Sequence, residues 1–418
     1  MNNRWFQLVA SLVAMIMIAN LQYAWTLFVV PMQKSTGWLL PQIQFAFTLF
    51  ILCQTWVQPL DGWLIDRLGP RLFITLAGVF AGFGWGALSV ASSLPQLYLF
   101  YAIAGVGAAL VYSGCVGSAL KWFSDRRGLA AGIIAAGFGG GTALFVPVIR
   151  HLIDTRGYQT AFLWTGIFQG TVIVIVAQFL RHPKADATSA APKAVVKTTT
   201  SRRNTEQFTT LEMLRTPQFY MLYVMFVMMS IGGLLATAQA GPLVQAFGLP
   251  LAALTAATTL SPVANGTSRI FWGGVSDRLG RENCMVIAFF LQAISLVSVV
   301  TFGTTLSTLF TITMVLTFFT WGEIYSLFPS ISGDWFGTKH STSNYAFLYT
   351  AKGVASIFGG GVGALLYQRF GSWAAVFYGA AALAFIAAIM AIVLRVVQLP
   401  KKGAVAAAPV PVPATRGA

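Results

Sequence analysis

Four ionisable side chains stand inside stretches that are otherwise apolar: Asp61, Arg269, Glu323 and Lys352. Lys352 interrupts FLYTAKGVASIFGGG and Arg269 interrupts NGTSRIFWGG. A charge in such surroundings is costly unless a partner offsets it, which makes each a functional-site candidate. Arg269 lies 8 residues before Asp277, and Lys352 lies 8 residues after Asn344. At 1.5 Å per helical residue, both stand about 12 Å from corresponding helix ends. Two cations at one depth point to an anion between them. Arginine offers a planar fork matched to a carboxylate, and lysine adds a compact point charge. Helical spacing puts Tyr345, Tyr349, Lys352 and Ser356 on one stripe and Asn265, Arg269 and Trp272 on another, so both stripes read as cavity walls. Glu323 lies between Trp321 and Tyr325, which are four apart and share a face. It is therefore expected to project the other way, toward a neighbouring helix. A permanent pair between Glu323 and one of the two cations is the competing structural reading. No nucleophile, metal-ligand or cofactor constellation stands out, so no enzyme, metal or cofactor is expected.

The elements that must hold these side chains are membrane spans. The 418 residues are 56% hydrophobic and 9% charged, with a mean hydropathy of +0.73, whereas a soluble domain carries roughly 25% charged residues. Apolar segments of spanning length recur near 5–30, 41–65, 72–92, 96–120, 128–150, 159–180, 217–246, 251–275, 283–303, 306–332, 342–368 and 373–397. The expected fold is an all-α membrane protein of twelve transmembrane helices. The net charge of +15 is topological rather than a nucleic-acid footprint. With an inside N-terminus, 20 of the 26 Lys/Arg fall on one side, 4 on the other (Lys34, Arg150, Arg156, Arg369) and 2 within spans. That asymmetry places both termini in the cytoplasm, with the chain in the cell (inner) membrane and a monomer expected. Cys53, Cys115 and Cys284 lie in apolar segments without a pairing pattern, and the first apolar segment reads as a retained helix rather than a signal peptide.

The pattern breaks once, at RHPKADATSAAPKAVVKTTTSRRN, which is expected to be a poorly ordered cytoplasmic linker. The expected organisation is a six-helix bundle over 1–181, the linker over 182–216, a second bundle over 217–398 and a cytoplasmic tail over 399–418. The halves echo each other. GWLIDRLGPR returns as GGVSDRLGRE, with Asp66 and Asp277 211 residues apart, and KWFSDRRG is echoed by DWFGTKHS. Duplicated bundles of this kind meet at a site near the membrane midplane. The runs GVGAALVYSG and GFGGG follow no strand and read as helix-packing surfaces, not phosphate loops.

The paired loops resemble the signature between the second and third helices of each half in the major facilitator superfamily. The resemblance implies that Asp66 or Asp277 faces the cytoplasmic end of a neighbouring helix, while Arg67, Arg71, Arg278 and Arg281 pair locally and hold the inward gate shut. LQYAWTLF, TPQFYMLYVMF, SRIFWGGVSDRLGR, FFTWGEIYSLFPS and NYAFLYTAKGVASIFGGG resemble, more narrowly, the oxalate:formate antiporter family. That likeness implies a carrier of small carboxylates such as oxalate or formate, with Arg269 and Lys352 as the carboxylate ligands. It also implies an aromatic cage of Tyr23, Tyr112, Trp321, Tyr325 and Tyr349, with Gln22 beside it. The chain departs from the family at Tyr349, where tryptophan is usual, and at Glu323, where a small residue is.

A transport cycle follows. A bound carboxylate offsets the desolvation of Lys352, and in the empty site water is expected to do so. Closing an empty site would bury two cations, at several kcal/mol each, so exchange is favoured over net flow. The alternative is a proton-coupled monocarboxylate symporter with Glu323 or Asp61 as the proton carrier. A non-transporting receptor is disfavoured by the lack of a folded effector domain in the tail.

Overall fold

In a computed structural model of the chain, residues 3–123, 127–181 and 202–402 are described, with the backbone alone at 62–67, 127–129 and 131. Among them there is no strand. The helices are α1 (Arg4–Tyr23), α2 (Trp25–Thr36), α3 (Leu40–Trp56), α4 (Gln58–Ala87, two helical segments divided at the non-helical Gly69), α5 (Leu94–Trp122), α6 (Arg127–Gly140), α7 (Thr142–Arg156) and α8 (Tyr158–Ala177). After the short α9 (Thr210–Leu214) come α10 (Pro217–Ala246), α11 (Leu251–Leu279), α12 (Arg281–Thr301), α13 (Ser307–Trp321), α14 (Ile324–Phe336) and α15 (Ser341–Ile357). A π-helical turn (Phe358–Val362) joins α15 to α16 (Gly363–Phe370), and α17 (Trp373–Leu394) ends the series.

Ten helical stretches among the described residues are long and apolar enough to cross a membrane. Helix α11 and the α15–α16 stretch are not among the ten. They are the two that carry Arg269 and Lys352, and their inward faces hold Thr258, Ser261, Asn265 and Ser268 on one and Asn344 and Ser356 on the other. Polarity runs inside out across the molecule. Trp164, Ile270 and Ile294 are exposed, while Asn20, Gln44, Gln169, Gln239 and Gln292 are buried. That is the distribution expected where hydrocarbon surrounds the protein and backbone polar groups are satisfied within helices.

Glycine governs the turns and the close crossings. Gly37 (φ 72°) and Gly248 (φ 65°) end α2 and α10, and Gly69 (φ 72°) and Gly280 (φ 89°) reverse the chain at the two DRLG loops. Each pair is 211 residues apart, and each conformation is one that a side chain with Cβ rarely adopts. Helix α4 packs on α5 and α8, α12 on α13 and α17, and α11 on α13. A Cβ at Gly107 would stand 2.7 Å from Ala81 Cα, and one at Gly82 would stand 2.6 Å from Gly170 Cα. The glycine runs therefore serve helix approach, as the sequence suggests.

Contacts between residues before 181 and after 202 run through α3 with α15, α6 and α7 with α11, and α2 with α10. A Cβ at Gly139 of α6 would lie 2.7 Å from Gly266 Cα of α11. Gln44 donates to Ala238 O (2.7 Å) and Gln239 Oε1 (3.1 Å), Gly241 N donates to Thr26 Oγ1 (2.6 Å), and Thr48 Oγ1 donates to Ser356 O (3.0 Å). The π turn frees backbone carbonyls, and Gln239 Nε2 donates to that of Gly360 (3.1 Å).

One expectation needs correcting. Residues 182–201 and 403–418 lie outside the described residues, but 202–216 is a docked segment, not a loose linker. Arg202 donates to the carbonyls of Arg395 (3.0 Å) and Val397 (2.7 Å) just past α17, and Asn204 donates to those of Trp335 (3.1 Å) and Pro400 (2.6 Å). Phe208 packs edge-on against Phe336, and Lys402 pairs with Glu212 at 2.9 Å. Composition hid this because the docking uses scattered polar side chains on helix-end carbonyls rather than an apolar stripe.

Candidate functional site

Breaks in the helices set the site's geometry. Helix α1 stops at Tyr23, α3 stops shortly after Gln54, α13 stops at Trp321, and the π turn begins shortly after Lys352. Interrupted spans free backbone groups and aim side chains at a common centre, the construction found at carrier binding sites.

Arg269 is 5% exposed. Its guanidinium donates to Asn265 Oδ1 (2.8 Å) and to Ala135 O (3.1 Å), and Cζ lies 4.1 Å from the centroid of the Tyr325 ring. Asn265 is fixed in turn by its own donation to Phe318 O (3.2 Å) and receives the Tyr23 hydroxyl at 3.4 Å. Lys352 is fully buried. Its Nζ donates to Gln22 Oε1 (2.9 Å), Gln54 Oε1 (2.9 Å) and the Tyr349 hydroxyl (3.3 Å). It also lies 5.8 Å from the Tyr325 centroid, so both cations face one ring.

The five aromatic residues named from the sequence form one continuous chain of ring contacts. Tyr23 meets Trp321 at 6.4 Å, Trp321 meets Tyr325 at 5.7 Å, Tyr325 meets Tyr349 at 6.2 Å, and Tyr349 stacks on Tyr112 at 6.3 Å and 15°. Phe138 joins them, 5.6 Å from Tyr23 and 5.5 Å from Tyr112. Around this cage, Gln22 Nε2, Arg269 Nε, Trp321 Nε1 and the Tyr325 hydroxyl are buried without a hydrogen-bond partner among the described residues. Buried donors without acceptors are costly. Donors of this kind on residues of the cage, with the charges of Arg269 and Lys352, match an acceptor-rich, negatively charged ligand.

The remaining sequence-named residues fall elsewhere. Glu323 is fully buried at the α13–α14 break, and neither of its carboxylate oxygens has a partner among the described residues. It makes no ion pair with Arg269 or Lys352, so the permanent-pair reading fails. Asp61 is buried near the start of α4, with no hydrogen bond or ring contact to the cage. At the second DRLG loop, Arg281 pairs with Asp277 (2.7 Å) and with Asp334 of α14 (3.4 Å), and Arg203 reaches Asp334 at 3.2 Å. Arg278 is also engaged. The side chains of Asp66 and Arg67 lie outside the described residues. Arg71 donates to Gln178 Oε1 (2.7 Å), and in the repeat Pro70 stands opposite Arg281 while Arg71 stands opposite Glu282. Cys53, Cys115 and Cys284 are free thiols.

Two features escaped the sequence reading. Lys352 is held by amide oxygens where water was expected, because Gln22 and Gln54 reach across from distant helices. Gln54 itself was not singled out. Its signal was an uncharged polar residue inside the apolar run FILCQTW, the kind of side chain that seeks a buried partner in a membrane protein.

Comparison with known proteins places the chain in a family. The family model of the Major Facilitator Superfamily matches residues 10–322 and 221–416. The oxalate:formate antiporter of Oxalobacter formigenes is 38% identical over 94% of this chain and 91% of its own length. The MFS-type transporter YhjX of Escherichia coli (strain K12) is 26% identical over 85% of the chain and 86% of its own. Human monocarboxylate transporter 11 is 35% identical, but over 28% of the chain and 25% of its own length. With its apolar helices and buried polar centre, the chain is a multi-pass membrane protein of the Major Facilitator Superfamily and belongs, within it, to the family of the oxalate:formate antiporter.

Proposed function

We propose that this protein exchanges small carboxylate anions, such as oxalate and formate, across the cell (inner) membrane by alternating access. The observation that carries the reading is the pair Arg269 and Lys352, both buried, both facing the Tyr325 ring and, among the described residues, neither paired with an acidic side chain. Arg269 takes a carboxylate on its fork, Lys352 takes the second negative charge, and Tyr23, Tyr112, Trp321, Tyr325, Tyr349 and Gln22 close the cage around the carbon skeleton. The scaffold in this reading is twelve spans in two pseudo-symmetric six-helix bundles, 1–181 and 217–398, joined by the cytoplasmic linker 182–216. The helical stretches α11 and α15–α16 are the two less apolar spans. The glycine turns repeating at a 211-residue interval support the pseudo-symmetry, and the basic-residue asymmetry supports cytoplasmic termini. The hydrogen bonds of Gln44, Thr48, Thr26 and Gln239 tie the bundles together on the outer side of the site. The DRLG loops with Asp66, Arg67, Arg71, Asp277, Arg278 and Arg281 act at the inner gate.

Counterflow in proteoliposomes tests the substrate class. Labelled oxalate and formate are expected to enter vesicles loaded with either anion and to be displaced by small carboxylates in a panel that includes lactate, pyruvate, malonate and succinate. Failure of every carboxylate to drive counterflow would remove the reading. A second reading, proton-coupled symport of a monocarboxylate, rests on Glu323, a buried carboxyl without a partner. It requires a proton gradient to accumulate substrate in vesicles without internal anion.

A further inference from the structure

An ammonium group has three hydrogens to donate, and three acceptors already surround Lys352: Gln22 Oε1, Gln54 Oε1 and the Tyr349 hydroxyl. Any carboxylate that reaches Nζ must therefore take a place that one of them holds. Tyr349 is three residues away on the same helix and moves with the lysine. Gln22 and Gln54 belong to α1 and α3, which face Lys352 from the other half of the chain. Gln22 adjoins the cage through Tyr23, whereas Gln54 makes no ring contact with it and lies next to the α3–α4 break. Gln54 is 1% exposed and Lys352 is fully buried, so the amide–ammonium bond forms away from water, where it is stronger than at a surface.

We propose that Gln54 is a positioning residue that stands in for substrate. Its amide oxygen holds Lys352 while the site is empty and yields to a carboxylate when the site fills, which sets how readily the empty carrier closes. The proposal rests on the carboxylate-exchange reading above. An amide dipole replaces part of the lost solvation of the ammonium but leaves its charge uncancelled, so empty closure is slowed without being forbidden. The residue thus tunes the ratio of exchange to net transport, while its competition with substrate enters KM.

The test compares wild type, Gln54→Met and Gln54→Glu in proteoliposomes, measuring uptake of labelled oxalate into loaded and empty vesicles at zero membrane potential. Methionine keeps the side-chain length but removes the acceptor. For Gln54→Met, uptake into empty vesicles is expected to fall about tenfold relative to exchange, the scale of one lost hydrogen bond to a charged group. KM for exchange should fall at the same time. For Gln54→Glu, a fixed anion competes at Nζ, so KM should rise about tenfold and the loaded-to-empty ratio should drop below wild type. A purely structural role slows both modes in parallel, and an unchanged ratio in Gln54→Met overturns the proposal. If Gln54→Met fails to insert, Gln54→Glu decides alone, an unchanged KM being the contradicting result. If wild type exchanges no carboxylate, it is the function reading that fails. The role of Gln54 is then judged without substrate, from maleimide labelling of Ala240→Cys, a buried position on α10, in a background lacking the native cysteines. Gln54→Met is expected to speed that labelling about threefold by weakening the hold between the halves, and no change contradicts the proposal.

Discussion

Arg269 and Lys352 were legible one residue at a time because a cation inside an apolar run has few bland explanations. Their partners were not legible. Gln22 and Gln54 meet Lys352 across sequence separations of 330 and 298 residues, and no local pattern encodes which buried amide faces which charge. Arg269→Gln or Lys352→Gln should abolish exchange while the protein still inserts. Removing one partner of a buried charge-assisted contact costs about 2–5 kcal/mol, on the order of 30-fold or more in affinity. Arg269→Lys should also fail, since an ammonium cannot reproduce the two donations to Asn265 and Ala135 while offering a fork to substrate. Substrate binding measured by displacement in purified protein checks all three. Glu323 carries the choice between coupling schemes. In an exchanger, Glu323→Gln leaves the pH dependence of uptake unchanged; in a symporter, it removes pH-driven accumulation and spares exchange. Flux at several pH values decides between them.

At the scale of elements, the positions of ten apolar spans followed from hydropathy. The helix breaks at Ala24 and Gly322 did not. Pro59, two residues past Val57, was a local signal for the break there; Ala24 and Gly322 carry no proline and rest on tertiary partners, as when Tyr101 donates to Leu21 O (2.6 Å) and Asn265 donates to Phe318 O (3.2 Å). The α6–α11 crossing gives an element-level prediction. With only 2.7 Å between a Cβ at Gly139 and Gly266 Cα, Gly139→Leu should prevent close approach of the halves. It should suppress transport and raise maleimide labelling of Ala240→Cys. The docked segment 202–216 gives another. The Thr209 backbone amide and the Lys402 ammonium hold the Glu212 carboxyl down at about 2. A lowered carboxyl pKa contributes to docking above the ordinary value of about 4.3, and that contribution is lost as pH falls toward about 2. Glu212→Gln should therefore speed hydrogen exchange over 209–214 at neutral pH, with the difference from wild type disappearing near the lowered value.

For the molecule as a whole, charge and kinetics are one question. The site holds two cations and, among the described residues, no carboxylate partner, and its amide and hydroxyl acceptors soften that charge without cancelling it. The repeated loops suggest duplication. The partners of Arg281 were not legible: it reaches Asp277 one turn away but also Asp334 of α14, 53 residues on. A carrier built this way closes readily around an anion and reluctantly around nothing. The most direct measurement is the initial rate of labelled oxalate uptake into vesicles preloaded with unlabelled carboxylate, set against empty vesicles at equal pH and zero membrane potential. The account predicts uptake at least about tenfold faster into the loaded vesicles, as the cost of burying uncompensated charge requires. Equal initial rates would contradict it and leave a uniporter or symporter on the same scaffold.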